Sequence, residues 1–411
     1  MLFATAVLAC LNVPESITKA DETPASATQF VLQDASGQTF QGPLNSLSSE
    51  TITLGGPMAV SRLASQSVQL QMAPQPEPRP LSRTAVLLAN GDQLQLRPAS
   101  IQDGRLSAVW AAAPERPAVE IPLETIRAIV LDLPRDPGAA ATLLSGLLDR
   151  EHSADVLLLS NGDQLRGELD SLKDGKLTLG GAAGPAEVPL KGVRAVALST
   201  ELISFPPVTG RTALVSLDDG SWVTATSLQT IGEANTGKSL QIQAAFGATF
   251  TVPLSSLAGV RLQGGRAVPL SSLPVHKYVF TPFLSREWPL VTDRAVSGGF
   301  LAAGRRVFPR GLGMHSGARA TWQLDGAYTA FEATVAIDDT APAQASARVR
   351  VLIDGREAWA SPELTAQAGP LHLPRIPLNG AKELTLTVDY GRSGDMGDRI
   401  NWIDPVLIRQ N

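Results

Sequence analysis

Cysteine is almost missing from this chain: Cys10 is the only one in 411 residues. A single cysteine excludes an intrachain disulfide and a multi-cysteine zinc site. Aromatic residues make up only 5% of the chain and charged residues 18%, with a formal net charge of −5. Acidic and basic residues are intermingled, so nothing marks a nucleic-acid surface. Beyond the N-terminus no run approaches the roughly 20 apolar residues of a membrane helix. Catalytic signatures are missing too. There is no G-x-S-x-G elbow, P-loop, dinucleotide fingerprint or H-E-x-x-H, and the histidines (His152, His276, His315, His372) are scattered. Glycoside hydrolysis needs two carboxylates facing each other across a cleft, and short strands with tight turns offer no obvious deep one. The chain therefore reads as a non-enzyme.

The first ten residues, MLFATAVLAC, are apolar and short, without the Lys or Arg that fronts a signal peptide. They read as the tail of an export signal, which places the protein in the periplasm, at the cell surface or in the secreted fraction. VLAC also resembles the lipobox of bacterial lipoproteins, which would anchor the chain through Cys10. Residues 1–28 are thus a leader and a polar linker.

A chain of this length implies two or more domains. From Gln29 it repeats itself. The segment VLLANGDQL (Val86–Leu94) recurs as LLLSNGDQL (Leu157–Leu165), and each is followed by an Asp-Gly, at Asp103-Gly104 and Asp174-Gly175. Each unit then closes with a Pro-Leu step and a short apolar strand, IPLETIRAIVL (Ile121–Leu131) and VPLKGVRAVAL (Val188–Leu198). Another copy runs from ALVSLDDG (Ala213–Gly220) to VPLSSLAGVRL (Val252–Leu262), and a degenerate one leads the array from Phe30 to Leu70. Asn-Gly-Asp and Asp-Gly are hairpin-turn chemistry, since Gly and Asn accept the positive φ that such turns require. Four or five short strands with tight turns have the size of a small SH3-like or Sm-like barrel. Closure would hide the sheet edges; strands shared between units in one sheet would be the other solution. The units are expected at 29–72, 84–133, 156–200 and 211–264. Between them, Met72–Arg83 is a proline-rich spacer. Residues 134–155 hold a short Ala/Leu-rich helix around Ala139–Arg150, expected to pack across a barrel or an interface.

The last third, residues 275–411, changes character. RVRVLID and ELTLTVDY alternate with a period of two, and Asp325-Gly326 and Asp354-Gly355 are turn pairs. Several such strands suggest an antiparallel β-sandwich. Four of the six tryptophans (Trp288, Trp322, Trp359, Trp402) and all three tyrosines lie here. The order GLGMHS, FEATVAIDD, IDGREAWASPEL, GDRINWIDPVLI resembles the NPCBM family of carbohydrate-binding modules, over about a third of the chain. The resemblance implies a galactose-binding-like β-sandwich of jelly-roll type and a sugar ligand. The sequence departs from the family pattern at Ala336, where a Gly is usual, and at Arg399-Ile400-Asn401, where His-Ala is usual. The second departure bears on which ligand is bound. The expected fold is thus mainly β: an array of small SH3-like repeats, then a galactose-binding-like sandwich.

The candidate ligand-binding residues follow from chemistry that suits a sugar. In GDMGDRINWIDP an indole (Trp402) can stack on pyranose C–H groups while Asp395, Asp398 and Asn401 take hydroxyls; a polar loop before a core strand is the other reading. His315 is a candidate because the surrounding glycines would let backbone approach a ligand, and Trp288 is a candidate aromatic platform. Asp338 and Asp339 could hold a structural calcium, as galactose-binding-like domains often do, or could cap a turn. No cofactor is otherwise required. Arg305, Arg306 and Arg310 could meet an anionic sugar or phosphate, or flank a solvated hairpin. Two functions follow. One is a non-catalytic carbohydrate-binding protein of the envelope or secreted fraction, with the repeats as spacer or as docking platform for protein partners. The other is a structural, protein-interaction chain whose sandwich no longer binds sugar.

Overall fold

A computed structural model of the chain describes residues 28–56, 59–76, 82–181, 184–232, 238–283 and 286–410. The leader and Cys10 lie outside them.

The array is built of four units that share one plan. Unit 1 has strands Gln29–Asp34, Thr39–Leu47, Thr51–Leu54, Val60–Leu63 and Ser67–Ala73. The first four strands pair antiparallel in succession, and the fifth returns to pair with the first. Units 3 and 4 repeat this, closing through Val193–Ala197 on Asp155–Leu159 and Leu257–Gln263 on Thr212–Leu217. In unit 2, Ile126–Val130 closes on Ala85–Leu88. The Pro-Leu step has a physical reason. Pro122, Pro189 and Pro253 sit at φ near −60°, which proline's ring prefers, and lead into one 3-10 turn that aims the closing strand. At Asp103-Gly104 and Asp174-Gly175 both residues have positive φ (49°/69° and 50°/71°), the conformation a two-residue hairpin needs.

Closure and sharing both occur. The closing strands pair with one another: unit 1 with unit 4 (Val260 opposite Leu70) and unit 2 with unit 3 (Ile129 opposite Val196). The pairing is nested, outer repeats together and inner repeats together. One apolar core runs through all four units, from Phe30 and Leu70 to Trp110, Leu157 and Phe246.

The helix is Pro137–Leu148, with Asp136 capping the Ala139 amide at 2.7 Å and Pro137 starting the first turn. Leu144 and Leu147 pack on the face of the joined sheets of units 2 and 3, against Leu87, Val130 and Val156, with Phe300 of the C-terminal domain alongside. The helix thus crosses both a shared sheet and a domain interface.

One repeated motif has two fates. Asn161-Gly162-Asp163 is an exposed turn, Asn161 Nδ2 donating to Asp163 Oδ2 at 2.6 Å. In the same turn at Asn90-Gly91-Asp92, Asp92 is buried against unit 4, where it accepts from the Thr224 backbone amide and hydroxyl, both at 2.8 Å. Asp92→Ala leaves a buried amide without an acceptor and is expected to cost about 1–3 kcal/mol. Asp163→Ala is expected to stay within about 0.5 kcal/mol of the parent. Denaturant unfolding of the two variants side by side checks this.

The C-terminal domain is two antiparallel sheets packed face to face. One has the order Val291–Thr292, Gly311–His315, Arg399–Arg409, Tyr328–Ile337, Leu371–His372; the other runs Lys277–Phe280, Ala318–Gln323, Glu383–Tyr390, Ser346–Ile353, Arg356–Ala360. Trp322, Phe331, Val351, Leu386 and Trp402 fill the space between them. The sandwich begins ahead of Val275: Ala267–Pro269 pairs with Arg399–Arg409, placing Ala267 opposite Ile408. The stretch between the last repeat and residue 275 is thus a strand, Ala267–Pro269, and a 3-10 turn, Leu270–Ser272.

The sandwich is docked on the array. Val406, Ile408, Ala330 and Ala267 bury against Ala35 and Val68 of unit 1. Arg261 of unit 4 pairs with Asp404 at 2.7 Å, and Gln33 donates to Glu332 at 2.9 Å. Trp222 meets Phe300 edge-on at 5.3 Å.

Candidate functional site

Gly311–His315 and Arg399–Arg409 lie side by side, with Leu312 opposite Trp402, Gly313 opposite Asn401 and His315 opposite Arg399. The two motifs singled out in the sequence are therefore neighbours. Strand alternation then separates their residues. Leu312, Met314, Ile400 and Trp402 belong to the core between the sheets.

Trp402 has no exposed surface, so it is not a stacking platform. The strand phase that aims Ile400 inward also buries this indole, and the expectation is corrected. Asn401 is buried as well, donating to Asp338 Oδ2 at 2.6 Å and to the Ala302 carbonyl at 3.1 Å. It ties the hairpin of Leu301–Ala303 and Arg306–Phe308 to the sheet instead of facing a ligand.

Asp338 and Asp339 serve the same hairpin. Asp338 accepts from the Thr340 amide and hydroxyl through Oδ1 and from Asn401 through Oδ2. Asp339 accepts from the Gly304 and Arg305 amides at 2.9 and 2.8 Å. All four carboxylate oxygens are thus engaged by protein donors, which is the turn-capping alternative to calcium. Among the described residues no group of three or more His, Cys, Asp or Glu is arranged to hold a metal.

The glycines of GLGMHS also have a local explanation. A Cβ on Gly313 would lie 2.4 Å from the Val296 nitrogen and 2.5 Å from the Arg294 carbonyl oxygen; one on Gly311 would meet the Trp402 carbonyl at 2.3 Å. They admit the chain's own backbone, not a ligand. Gly313→Ala is expected to cost about 3 kcal/mol, while Gly146→Ala in the helix, with open space around it, is expected to stabilise by up to about 1 kcal/mol. Thermal unfolding of the pair gives the two signs.

What remains of the candidate set gathers at one end of the sandwich. The His315 and Trp288 rings stack with centroids 4.6 Å apart and planes within 3°. The Arg286 guanidinium lies 3.7 Å from the Trp288 ring centroid. The Tyr278 hydroxyl donates to the Trp288 carbonyl at 2.7 Å. Burial pushes that phenol up to about 12, so it stays a donor. His315 is buried, which holds its imidazole below the ordinary value against the opposing pull of the Ser316 backbone and Asp395. It is therefore neutral at pH 7. Asp398 is buried; Oδ1 accepts from the Ser346 amide at 3.0 Å and Oδ2 has no partner. Burial raises its pKa. Asp395, half-buried on the neighbouring loop, acts electrostatically on His315, Asp398 and Tyr390.

Four residues at this end were not singled out in the sequence: Phe283, Arg286, Tyr390 and Met396. Phe283 is 57% and Met396 56% exposed. Phe283 packs on Tyr390 with ring centroids 5.5 Å apart, and the Tyr390 hydroxyl donates to the Thr281 carbonyl at 2.5 Å. The available signal was the R-x-W spacing of Arg286 and Trp288, which on an extended segment puts both on one face.

Residues 267–408 match the NPCBM/NEW2 domain family, so the C-terminal third is a domain of that family. A CBM51 module from Clostridium perfringens GH95, solved in complex with methyl-galactose, is 22% identical; the match covers 34% of this chain and 99% of that one, with a TM-score of 0.31. The CBM51-2 and INT domains of C. perfringens ZmpB, in complex with GlcNAc, match at 21% identity over 44% of this chain and 37% of theirs, with a TM-score of 0.32. A "Putative endo-alpha-N-acetylgalactosaminidase" of Renibacterium salmoninarum is 33% identical over 119 residues, which is 27% of this chain and 8% of that protein. The chain thus spans under a tenth of that relative's length. Among the described residues no helix is long and apolar enough to cross a membrane.

Proposed function

We propose that the protein is a non-catalytic carbohydrate-binding protein that takes a sugar at the loop end of its sandwich. Its array serves as a rigid support and as a platform for protein partners. The observation that carries this reading is the NPCBM/NEW2 match over the domain that presents the Trp288–His315 stack. Trp288 offers the ring face opposite His315 for the C–H face of a hexose once the exposed Arg286 side chain moves off it to donate to the sugar, and Asp395 accepts from hydroxyls. Asp398 and His315, both buried, hold the site's shape. The proposal includes export; the segment that would direct it, with Cys10, lies outside the described residues.

The second reading is a protein-interaction chain that no longer binds sugar. Burial of Trp402 and Asn401 favours it, because two of the expected sugar contacts are absorbed by the fold.

Tryptophan fluorescence and calorimetric titration of the full chain with galactosides, N-acetylhexosamines and polysaccharides decides between them. Saturable binding weakened at least tenfold by Trp288→Ala, with the melting temperature retained, is the expected result. Tenfold corresponds to about 1.4 kcal/mol. No response from folded protein across the panel would reject sugar binding in favour of the interaction reading.

A further inference from the structure

A cleft of about 180 Å³ lies between the array and the sandwich, and the loop-end site does not account for it. It shares no residue with the loop-end site. Its floor is the joint where unit 1 meets unit 4, at Gln71 opposite Gly259 and Gln69 opposite Arg261. Its wall is the sandwich hairpin, with Phe308 giving an apolar surface and Arg305 and Arg306 at the rim.

The floor carries a polar ladder. Gln71 Nε2 donates to Gln69 Oε1 at 3.0 Å, and Arg261 bridges Gln69 and Asp404 at 3.2 and 2.7 Å. Asp404 Oδ1 is buried beneath the floor and has no partner. At the rim, Arg305 is exposed, and its guanidinium has no hydrogen-bond or ion-pair partner among the described residues. Its backbone is fixed by Asp339 at a φ of 66°. Arg306 is held by the carbonyl of Pro76. The charged groups lining the cleft are Arg261, Arg305 and Arg306 against Asp218 and Asp404.

We infer that this cleft is a second binding site, for a saccharide bearing a carboxylate, such as a uronic acid. The guanidinium fork of Arg305 matches a carboxylate in two parallel hydrogen bonds. The glutamine ladder takes ring hydroxyls, and Phe308 meets the C–H face. The two aspartates repel a second anionic group, so a ligand with one acid end is oriented with that end toward Arg305. The inference stands independently of the loop-end site.

Calorimetry of the full chain with galacturonic acid, and with galactose as its uncharged counterpart, tests this. Galacturonate is expected to bind with at least tenfold higher affinity than galactose in Trp288→Ala protein, where the loop-end site is removed. Arg305→Gln is expected to lower that affinity at least tenfold, about 1.4 kcal/mol, and Arg305→Lys to recover part of it. Arg305 is exposed, so both variants should melt like the parent. Three results would overturn the inference: no galacturonate binding by Trp288→Ala protein, unchanged affinity in Arg305→Gln, or acetate binding as tightly as galacturonate.

Discussion

Trp402→Ala is expected to destabilise the C-terminal sandwich by about 3–5 kcal/mol, the usual cost of truncating a fully buried aromatic side chain. The indole has no exposed surface and sits among Leu312, Ile400 and Leu407 in the core. Its Nε1 donates to no protein group, so Trp402→Phe loses no hydrogen bond and is expected to recover most of the stability. Any sugar affinity lost by Trp402→Ala should therefore return under conditions that refold the variant. Denaturant unfolding followed at two temperatures, with binding measured on the folded fraction, checks both points. A Trp402→Ala protein that is as stable as the parent but cannot bind sugar would contradict the assignment of this residue to the core.

Arg261→Ala is the second large effect. Arg261 and Asp404 join the closing strand of unit 4 to the last strand of the sandwich, with side chains only 14% and 23% exposed. Removing one partner of a buried pair leaves an uncompensated charge, at a cost of about 3–5 kcal/mol. Burial already pushes the Asp404 carboxyl up, and Arg261 opposes that shift. Without Arg261 the folded-state pKa rises further above the unfolded value. A raised carboxyl pKa means that the folded state holds its proton more tightly, so stability is greatest below the unfolded pKa and falls as pH rises through the folded one. The deficit of Arg261→Ala is therefore expected to be small in acid and to grow toward neutral pH. Asp404 has a φ of 47°, a conformation asparagine accepts, so Arg261→Ala combined with Asp404→Asn should regain most of the loss. Unfolding curves at pH 4 and pH 7.5 for the single and double variants measure this. A pH-independent deficit would show that the pair contributes packing and not charge.

Such a junction changes what the array can be. A string of repeats on flexible linkers would let the sandwich tumble. Here VPLSSL occurs twice, at Val252–Leu257 and Val268–Leu273, and in both places it forms a strand end and a 3-10 turn. The first copy closes unit 4; the second opens the sandwich sheet. The boundary between array and sandwich is therefore a continuation of the repeat's own local structure, and the apolar contact of Ala35 and Val68 with Val406 and Ile408 holds it.

By itself the sequence determined the local geometry. The apolar face of ELTLTVDY (Leu384, Leu386, Val388), positive φ at the Asp-Gly pairs and the Pro-Leu steps depend on residues within a few positions of one another, and all are present as read. It also determined the class of the C-terminal domain, because several motifs occur there in a fixed order. Only the tertiary structure decided which units pair, since closing strands with similar apolar patterns could meet in any combination, and the nested arrangement depends on contacts almost two hundred residues apart. It likewise decided that Asp92 is a buried acceptor while Asp163, in the same Asn-Gly-Asp turn, faces solvent. The candidate site divides along the same line. Asp395, Asp398, His315 and Trp288 meet at one loop end, whereas Trp402 and Asn401 do not. A strand's phase relative to its core is set by everything packed against it, and polar residue types alone do not reveal whether their partner is a ligand or the protein's own backbone.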